Sequence, residues 1–337
     1  MRALLVAAGG GLGDTLLASP LARALRARYE SVDALVLPAH RALAERTEAF
    51  DEVFEDAQPS RNVIRALRDQ HYDAAVVTWA TLHTATIPFA SAIPIRVGQA
   101  RRLYSPLFTH RVPLRSESGD RTTHWTQILL DYVRVLDCDL ADATPTFVPT
   151  QADEAQARAI HASAGAPAAY GLLHPTRGLS HASERWPTSG LSALAQSLGD
   201  RYGVPILVSG SVNDLSIAAR IAADGRATSI AGTTGIGAFA ALARDARFVV
   251  AMDSGPMHLA AAMGVPTVGI FALQSDEPDR WAPLGPQTAV VRAIYPCPPE
   301  HRKETCPDFP CVRELDVAGV LHALDGLHVA LSEDDPS

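Results

Sequence analysis

Asp14 closes a glycine-rich run, Gly9-Gly10-Gly11-Leu12-Gly13, that separates the apolar residues 3–8 from a second apolar stretch through Leu16, Leu17, Leu21 and Leu25. A carboxylate placed where a strand gives way to a helix can take a proton from a hydroxyl. Glycines such as Gly11 and Gly13 let a ligand approach the backbone there, beside a helix N-terminus that favours an anion. The same residues also suit a purely structural role, a tight turn with Asp14 capping the helix. The spacing is not G-x-G-x-x-G, and the strand at 33–37 ends on Leu37-Pro38, without the acidic residue that holds a ribose, so a nicotinamide dehydrogenase is disfavoured.

A second group lies at 248–267. The apolar run Phe248–Met252 stops at Asp253-Ser254, and Pro256 sits at the tolerated first turn of a following helix. Amide N–H groups at 254–258 then point out of the carboxyl end of a strand, which makes a phosphate seat, and His258 one turn on adds a donor. Thr176-Arg177 and Ser183-Glu184-Arg185-Trp186-Pro187 follow another apolar strand, and two guanidiniums there can meet a diphosphate bidentately. The turn Gly232-Thr233-Thr234-Gly235 has no bulky side chain and leaves room for a base or a ribose.

Residues 96–124 hold Arg96, Arg101, Arg102, Arg111, Arg115 and Arg121, with His110 and His124, against Glu117 and Asp120. That excess of positive charge is either a solvated face or a docking surface for a phosphorylated or carboxylated acceptor. Cys297, Cys306 and Cys311, with His301 between the first two, supply the ligand types of a tetrahedral metal site. The C-x2-C spacing is missing and prolines crowd the loop, so reduced thiols are favoured over a structural metal.

The elements that must position these residues alternate in kind. At ~150 residues per domain, 337 residues predict about two domains, and 47% apolar with 20% charged residues excludes disorder. The formal charge is 29 − 37 = −8, which excludes a general nucleic-acid binder. Lys303 is the only lysine, so a phosphate-binding cation is Arg or His. The N-terminal apolar run is too short for a signal peptide and no run reaches the ~18 apolar residues of a membrane span, so insertion in a membrane is not expected, and four cysteines, too few for a disulfide framework, predict a reducing cytoplasm. Val/Leu/Ile-rich strands are predicted near 3–8, 33–37, 74–78, 170–174, 205–209, 228–231, 247–252 and 266–271. Helices are predicted over 15–29, 60–70, 122–137, 151–163, 188–201, 213–223, 236–244, 256–263 and 314–331. This alternation reads as α/β with parallel sheets. The domains are expected at 1–160 and 168–331, followed by an acidic tail, 332–337.

With these motifs in place, the run Gly13–Leu21, Arg185-Trp186-Pro187, Ala231-Gly232-Thr233-Thr234 and above all Asp253-Ser254-Gly255-Pro256-Met257-His258 through Thr267 resemble glycosyltransferase family 9, the ADP-heptose:lipopolysaccharide heptosyltransferases. The resemblance spans nearly the whole chain and takes in Arg96-Val97-Gly98. It implies a GT-B fold, two Rossmann-like domains with parallel sheets facing a central cleft. The first would bind acceptor through Gly11, Gly13, Arg96, Arg101, Arg102 and His124. The second would bind an ADP-sugar through Thr176, Arg177, Arg185, Gly232, Thr233, Thr234, Asp253, Ser254, Gly255 and His258. It further implies transfer with inversion, Asp14 as catalytic base, and no required cofactor or catalytic metal. A glycan or glycolipid acceptor and peripheral contact with the inner membrane surface are expected. One departure stands out: Glu184 occupies the position of a donor-contacting lysine. Transfer to a protein or small molecule, sugar-nucleotide epimerisation and a binder that has lost transfer are the alternatives, and intact Asp14 argues for catalysis.

Overall fold

The strands in the first half of the chain form because short Val/Leu/Ala runs are buried on both faces, the environment of a parallel sheet covered by helices. In the computed structural model, which describes residues 1–176, 186–298, 306 and 308–327, the chain divides into two units, Met1–Val148 and Pro149–Ser337. The first holds β1 (Arg2–Ala7), β2 (Ser31–Val36), β3 (Val53–Glu55), β4 (Ala74–Val77), β5 (Ile95–Gln99) and β6 (His110–Val112), parallel throughout in the order β3-β2-β1-β4-β5-β6. Its helices are α1 (Leu12–Ala18), α2 (Pro20–Leu25), α3 (Arg41–Arg46), α4 (Ser60–Asp69), α5 (Leu82–Ala90) and α6 (Trp125–Arg134). Leu4, Val6, Ala75 and Val77 from alternate strand positions share one core with Leu67, Ala85, Ile87 and Phe108, so α4 and α5 cover that face.

The second unit repeats the plan. It holds α7 (Gln151–Ser163), β7 (Gly171–His174), α8 (Thr188–Tyr202), β8 (Ile206–Val208), α9 (Leu215–Ile221), β9 (Ala227–Ser229), α10 (Ile236–Asp245), β10 (Phe248–Met252), α11 (Gly255–Ala262), β11 (Thr267–Phe271), α12 (Pro278–Trp281), β12 (Thr288–Arg292) and α13 (Val317–Asp325). The sheet order is β12-β11-β10-β7-β8-β9, again all parallel. In both sheets the first strand lies centrally, the next two extend to one side and the last three to the other. That reversal creates a crevice at the carboxyl ends of β1 and β4, and another at those of β7 and β10.

Several boundaries differ from the sequence expectation for identifiable reasons. The helix expected at 15–29 begins at Leu12 and is interrupted at Ser19, because Pro20 has no N–H for the Leu16 carbonyl. The Ser19 amide and hydroxyl take that carbonyl instead, at 3.1 and 2.8 Å. Strands β3, β5, β6 and β12 are additional, and the final helix is shorter than 314–331. The division falls at Val148/Pro149, so α7 belongs to the second unit and does not close the first. Buried Asp153 of α7 lies where a side chain at Gly237 would stand, which lets α7 and α10 pack closely only because residue 237 is glycine.

Candidate active site

At the first crevice, Gly10 takes φ +71°, the left-handed conformation that glycine adopts without penalty, and turns the chain from β1 into α1. The helix starts earlier than the sequence indicates, so Asp14 lies in its first turn, where its carboxylate accepts the Gly11 N–H at 2.7 Å. The structural role is therefore met by Asp14, and it leaves the carboxylate at the turn where the sequence points to a base. Burial raises the Asp14 pKa above the ordinary carboxylate value, and the Gly11 hydrogen bond only partly offsets this, which makes it a stronger base when ionised. Gly11 has committed its N–H to Asp14, whereas Gly13 is the second residue of α1, where an N–H has no intrahelical acceptor.

The sequence reading missed what surrounds Asp14. Thr15 and His40 are buried, with Thr15 Oγ1 2.8 Å from His40 Nδ1, which ties α1 to the short 3₁₀ turn Pro38–His40 that follows β2. Trp79, just beyond β4, lies against Gly9, and its ring meets Trp125 edge-on at 6.3 Å. It keeps 40% of its surface exposed, so an indole face borders the crevice. Neither the lone tryptophan nor the lone histidine carries a spacing signal.

The arginine-rich segment is largely engaged elsewhere. Arg96 points its guanidinium at the carbonyls of Leu107 (2.7 Å) and Ile93 (2.5 Å) and so secures the ends of β5. Arg102 pairs with Glu117 at 2.7 Å, a carboxylate that Gln99 also reaches at 2.9 Å. Arg115 forms a two-pronged pair with Asp131. His124 caps α6 by accepting the Thr126 N–H at 3.2 Å. Arg101 remains exposed in a left-handed turn, φ +62°.

At the second crevice, the ends of β10, β7, β8 and β9 stand side by side. Ser254 begins α11, but its hydroxyl donates to the Met252 carbonyl at 2.8 Å and does not cap the helix. Met257 and His258 return their N–H groups to the Ser254 carbonyl and Pro256 has none, so within the first turn of α11 the N–H of Gly255 is the one without an intrahelical acceptor. The expected row of amides from 254 to 258 is thus narrower. Asp253 is half-buried and His258 is buried, with 5% of its surface exposed.

Next to this end, Thr176 is buried and hydrogen-bonds to Asp214, a residue the sequence reading passed over. Burial alone would raise the Asp214 pKa, yet hydrogen bonds from the hydroxyl and amide of Ser211 and from Thr176 hold it below its ordinary value. His174 Nδ1 lies 3.0 Å from Ser209 Oγ, and burial pushes the imidazole pKa down to about 4. The Gly232 N–H donates to the Gly210 carbonyl at 2.9 Å, which brings the 232–235 turn to the same edge. Thr233 turns its hydroxyl onto the Ile230 carbonyl, and Thr234 is half-buried beside it. Arg177, Glu184, Arg185 and His301 lie outside the described residues, whereas Trp186 sits in the core of the second unit.

Cys311 is buried and accepts the Gln274 N–H, while Cys297 and Cys306 are half-buried. Burial raises the Cys311 pKa and the two neighbouring thiols add to that. Among the described residues no three His, Cys, Asp or Glu side chains stand in a metal-binding arrangement.

Two doubly wound sheets of one strand order, with an acid at the first switch point and a helix N-terminus at the second, match a known family. Residues 60–308 fit the family described as glycosyltransferase family 9 (heptosyltransferase). The chain belongs to glycosyltransferase family 9. It is 25% identical over 312 residues to lipopolysaccharide heptosyltransferase 2 of Escherichia coli, covering 86% of this chain and 88% of that one. Its fold superposes on a glycosyl transferase family 9 protein from Veillonella parvula with a TM-score of 0.83 at 18% identity, over 97% and 96% of the two chains. It also superposes on E. coli ADP-heptose lps heptosyltransferase II with a TM-score of 0.79 at 22% identity, over 97% and 98%. The family 9 chain thus has the GT-B fold and is a heptosyltransferase-like glycosyltransferase. No helix among its described residues is long and apolar enough to cross a membrane.

Proposed function

We propose that this family 9 enzyme transfers a heptose from ADP-heptose to a hydroxyl of a glycan or glycolipid, as in assembly of a lipopolysaccharide core, with inversion at the anomeric carbon. The observation that carries the reading is the Asp14 carboxylate, held in the first turn of α1 at the switch point of the first sheet with its basicity raised by burial. Asp14 takes the proton of the acceptor hydroxyl as that oxygen attacks the anomeric carbon. The bond from that carbon to the diphosphate oxygen breaks on the opposite face, and the electron pair leaves with ADP. A single displacement inverts the configuration, by the same geometric logic as in an inverting glycosidase.

The departing diphosphate gains charge, and in this reading the Gly255 N–H at the start of α11 meets it, with arginines sharing the load that a catalytic metal carries in other transferases. Similarity to a protein named for ADP-heptose supports the donor assignment. Turnover is expected to survive chelation by EDTA. The reading is tested by incubating the enzyme with ADP-β-heptose and a lipopolysaccharide core acceptor truncated before its heptoses, and by reading the product's anomeric coupling by NMR. An α-linked heptose supports it; ADP release without transfer to any glycan or glycolipid acceptor overturns it.

A further inference from the structure

Trp79 is held from both sides by its own fold. Its carbonyl accepts the Thr84 hydroxyl at 3.0 Å, the hydroxyl of the preceding Thr78 reaches the Val6 carbonyl at 3.3 Å, and the Tyr104 hydroxyl donates to the carbonyl of Ala80. A side chain at Gly9 would run into the indole, and one at Gly10 would run into the Asp14 carboxylate. Consecutive Cα atoms are ~3.8 Å apart, so the indole edge and the carboxylate lie within about 12 Å of each other. One sugar ring with its hydroxyls fits between them.

A second pair of side chains lies along the same edge. Asp56 follows β3 and His83 is the second residue of α5, after β4, and His83 Nε2 stands 3.0 and 2.8 Å from the two Asp56 carboxylate oxygens. In the sheet, β2 and β1 separate β3 from β4, so the pair crosses the carboxyl ends of these two strands, the edge that also carries Asp14. A carboxylate accepts, so Nε2 carries the proton. The Asp56 side chain keeps 4% of its surface exposed, whereas His83 keeps 43%. Among the described residues His83 Nδ1 makes no hydrogen bond, and in the neutral ring it is an acceptor.

An indole offers a flat apolar face with negative quadrupole charge, which suits C–H bonds directed at it. A pyranose presents such bonds on one side of a ring whose rim is hydroxyl, and a few placed polar groups beside an apolar surface fix a small ligand's orientation. We infer that Trp79 and the Asp56–His83 pair form the subsite that holds a pyranose ring of the acceptor. The indole lies against the C–H face, His83 Nδ1 accepts a ring hydroxyl, and the attacking hydroxyl turns to Asp14. Asp56 acts through His83 as a positioning residue. The inference rests on the reading of Asp14 as the base and adds what is recognised in the acceptor, a sugar ring with an unsubstituted C–H face.

The probe is the oligosaccharide released by deacylating a lipopolysaccharide core truncated before its heptoses, titrated into the full chain in the presence of ADP. Irradiating the protein's aromatic protons should saturate ring protons on one face of a pyranose in the wild type and not in Trp79→Leu. Trp79→Leu should weaken the oligosaccharide about tenfold and Trp79→Phe less than about threefold, with ADP affinity and melting temperature near wild type. His83→Ala should weaken it about five- to tenfold, and Asp56→Ala should match that loss. Asp56→Asn keeps an oxygen for the Nε2 proton and should restore binding. In turnover these losses should appear in the acceptor KM and not in kcat. Wild-type affinity in Trp79→Leu overturns the inference, as do an oligosaccharide that binds without receiving aromatic saturation, one that the wild type does not bind, and an Asp56→Asn variant as weak as Asp56→Ala. The transferase reading fails on a different result, the absence of any glycosylated product from the wild type, so the two fail separately.

Discussion

Thr15 Oγ1 and His40 Nδ1 form a buried hydrogen bond of 2.8 Å directly behind the residue proposed as base. Burial lowers the His40 pKa, so the ring is neutral at pH 7, and the Thr15 hydroxyl, both donor and acceptor, can pair with Nδ1 in either tautomer. Thr15→Val should cost ~1–3 kcal/mol, because it leaves a buried ring nitrogen without its partner. Adding His40→Leu should recover part of that loss in a double-mutant cycle measured by urea unfolding. Strictly additive losses would show that the two groups do not interact.

Asp14→Asn should lower kcat by ~10²–10⁴-fold while ADP affinity stays near wild type. The amide oxygen can still accept the Gly11 N–H, so stability should change little. In the wild type, kcat/KM should fall as pH drops through the raised Asp14 pKa, with the acid limb above the ordinary carboxylate range. A variant that keeps more than about a tenth of wild-type kcat would remove Asp14 from the reaction, general-base loss being costlier than that.

Gly255→Val should weaken ADP at least about tenfold by blocking approach to the first turn of α11. Ser254→Ala should matter far less, since that hydroxyl is committed to the Met252 carbonyl. Calorimetric titration with ADP compares the two. Equal losses would mean that the hydroxyl turns toward the phosphates when ligand binds.

His174 has a folded pKa of about 4, below its unfolded value of ~6.5, so it is taken up neutral on folding. The unfolded chain therefore binds the extra proton between these values. Stability is complete above pH 6.5 and declines toward pH 4, by up to roughly 3 kcal/mol from this group. His40 contributes to the same slope. Thermal melts of His174→Gln should start lower at pH 7.5 yet lose less on acidification than the wild type; parallel curves would contradict the assignment.

The central strands were legible because Leu4, Val6, Val76, Val250 and Ile270 belong to apolar runs buried on both faces. The strands that escaped notice are β3, β6 and β12 at sheet edges, where one side lacks a neighbouring strand, and β5, which carries Arg96 and Gly98. Helix α5 was hidden by Pro88 and its threonines. Asp14 and the Ser254–Gly255 turn were legible because a strand-to-helix junction has a local signature. Asp214, His174 and His40 were not, since what gives them a role is contact with Thr176, Ser209 and Thr15, and nothing in their spacing announces it. For Arg96, charge composition marks a cation but not the carbonyls of its own fold that hold it.

Each sheet is drawn from one unbroken stretch of sequence, with the junction at Val148 and Pro149. A single genetic crossover at that junction would replace every strand of one sheet and none of the other. Lineages of such enzymes can therefore inherit the half bearing Asp14 from one parent and the half bearing Gly255 from another, with both hydrophobic cores passed on whole.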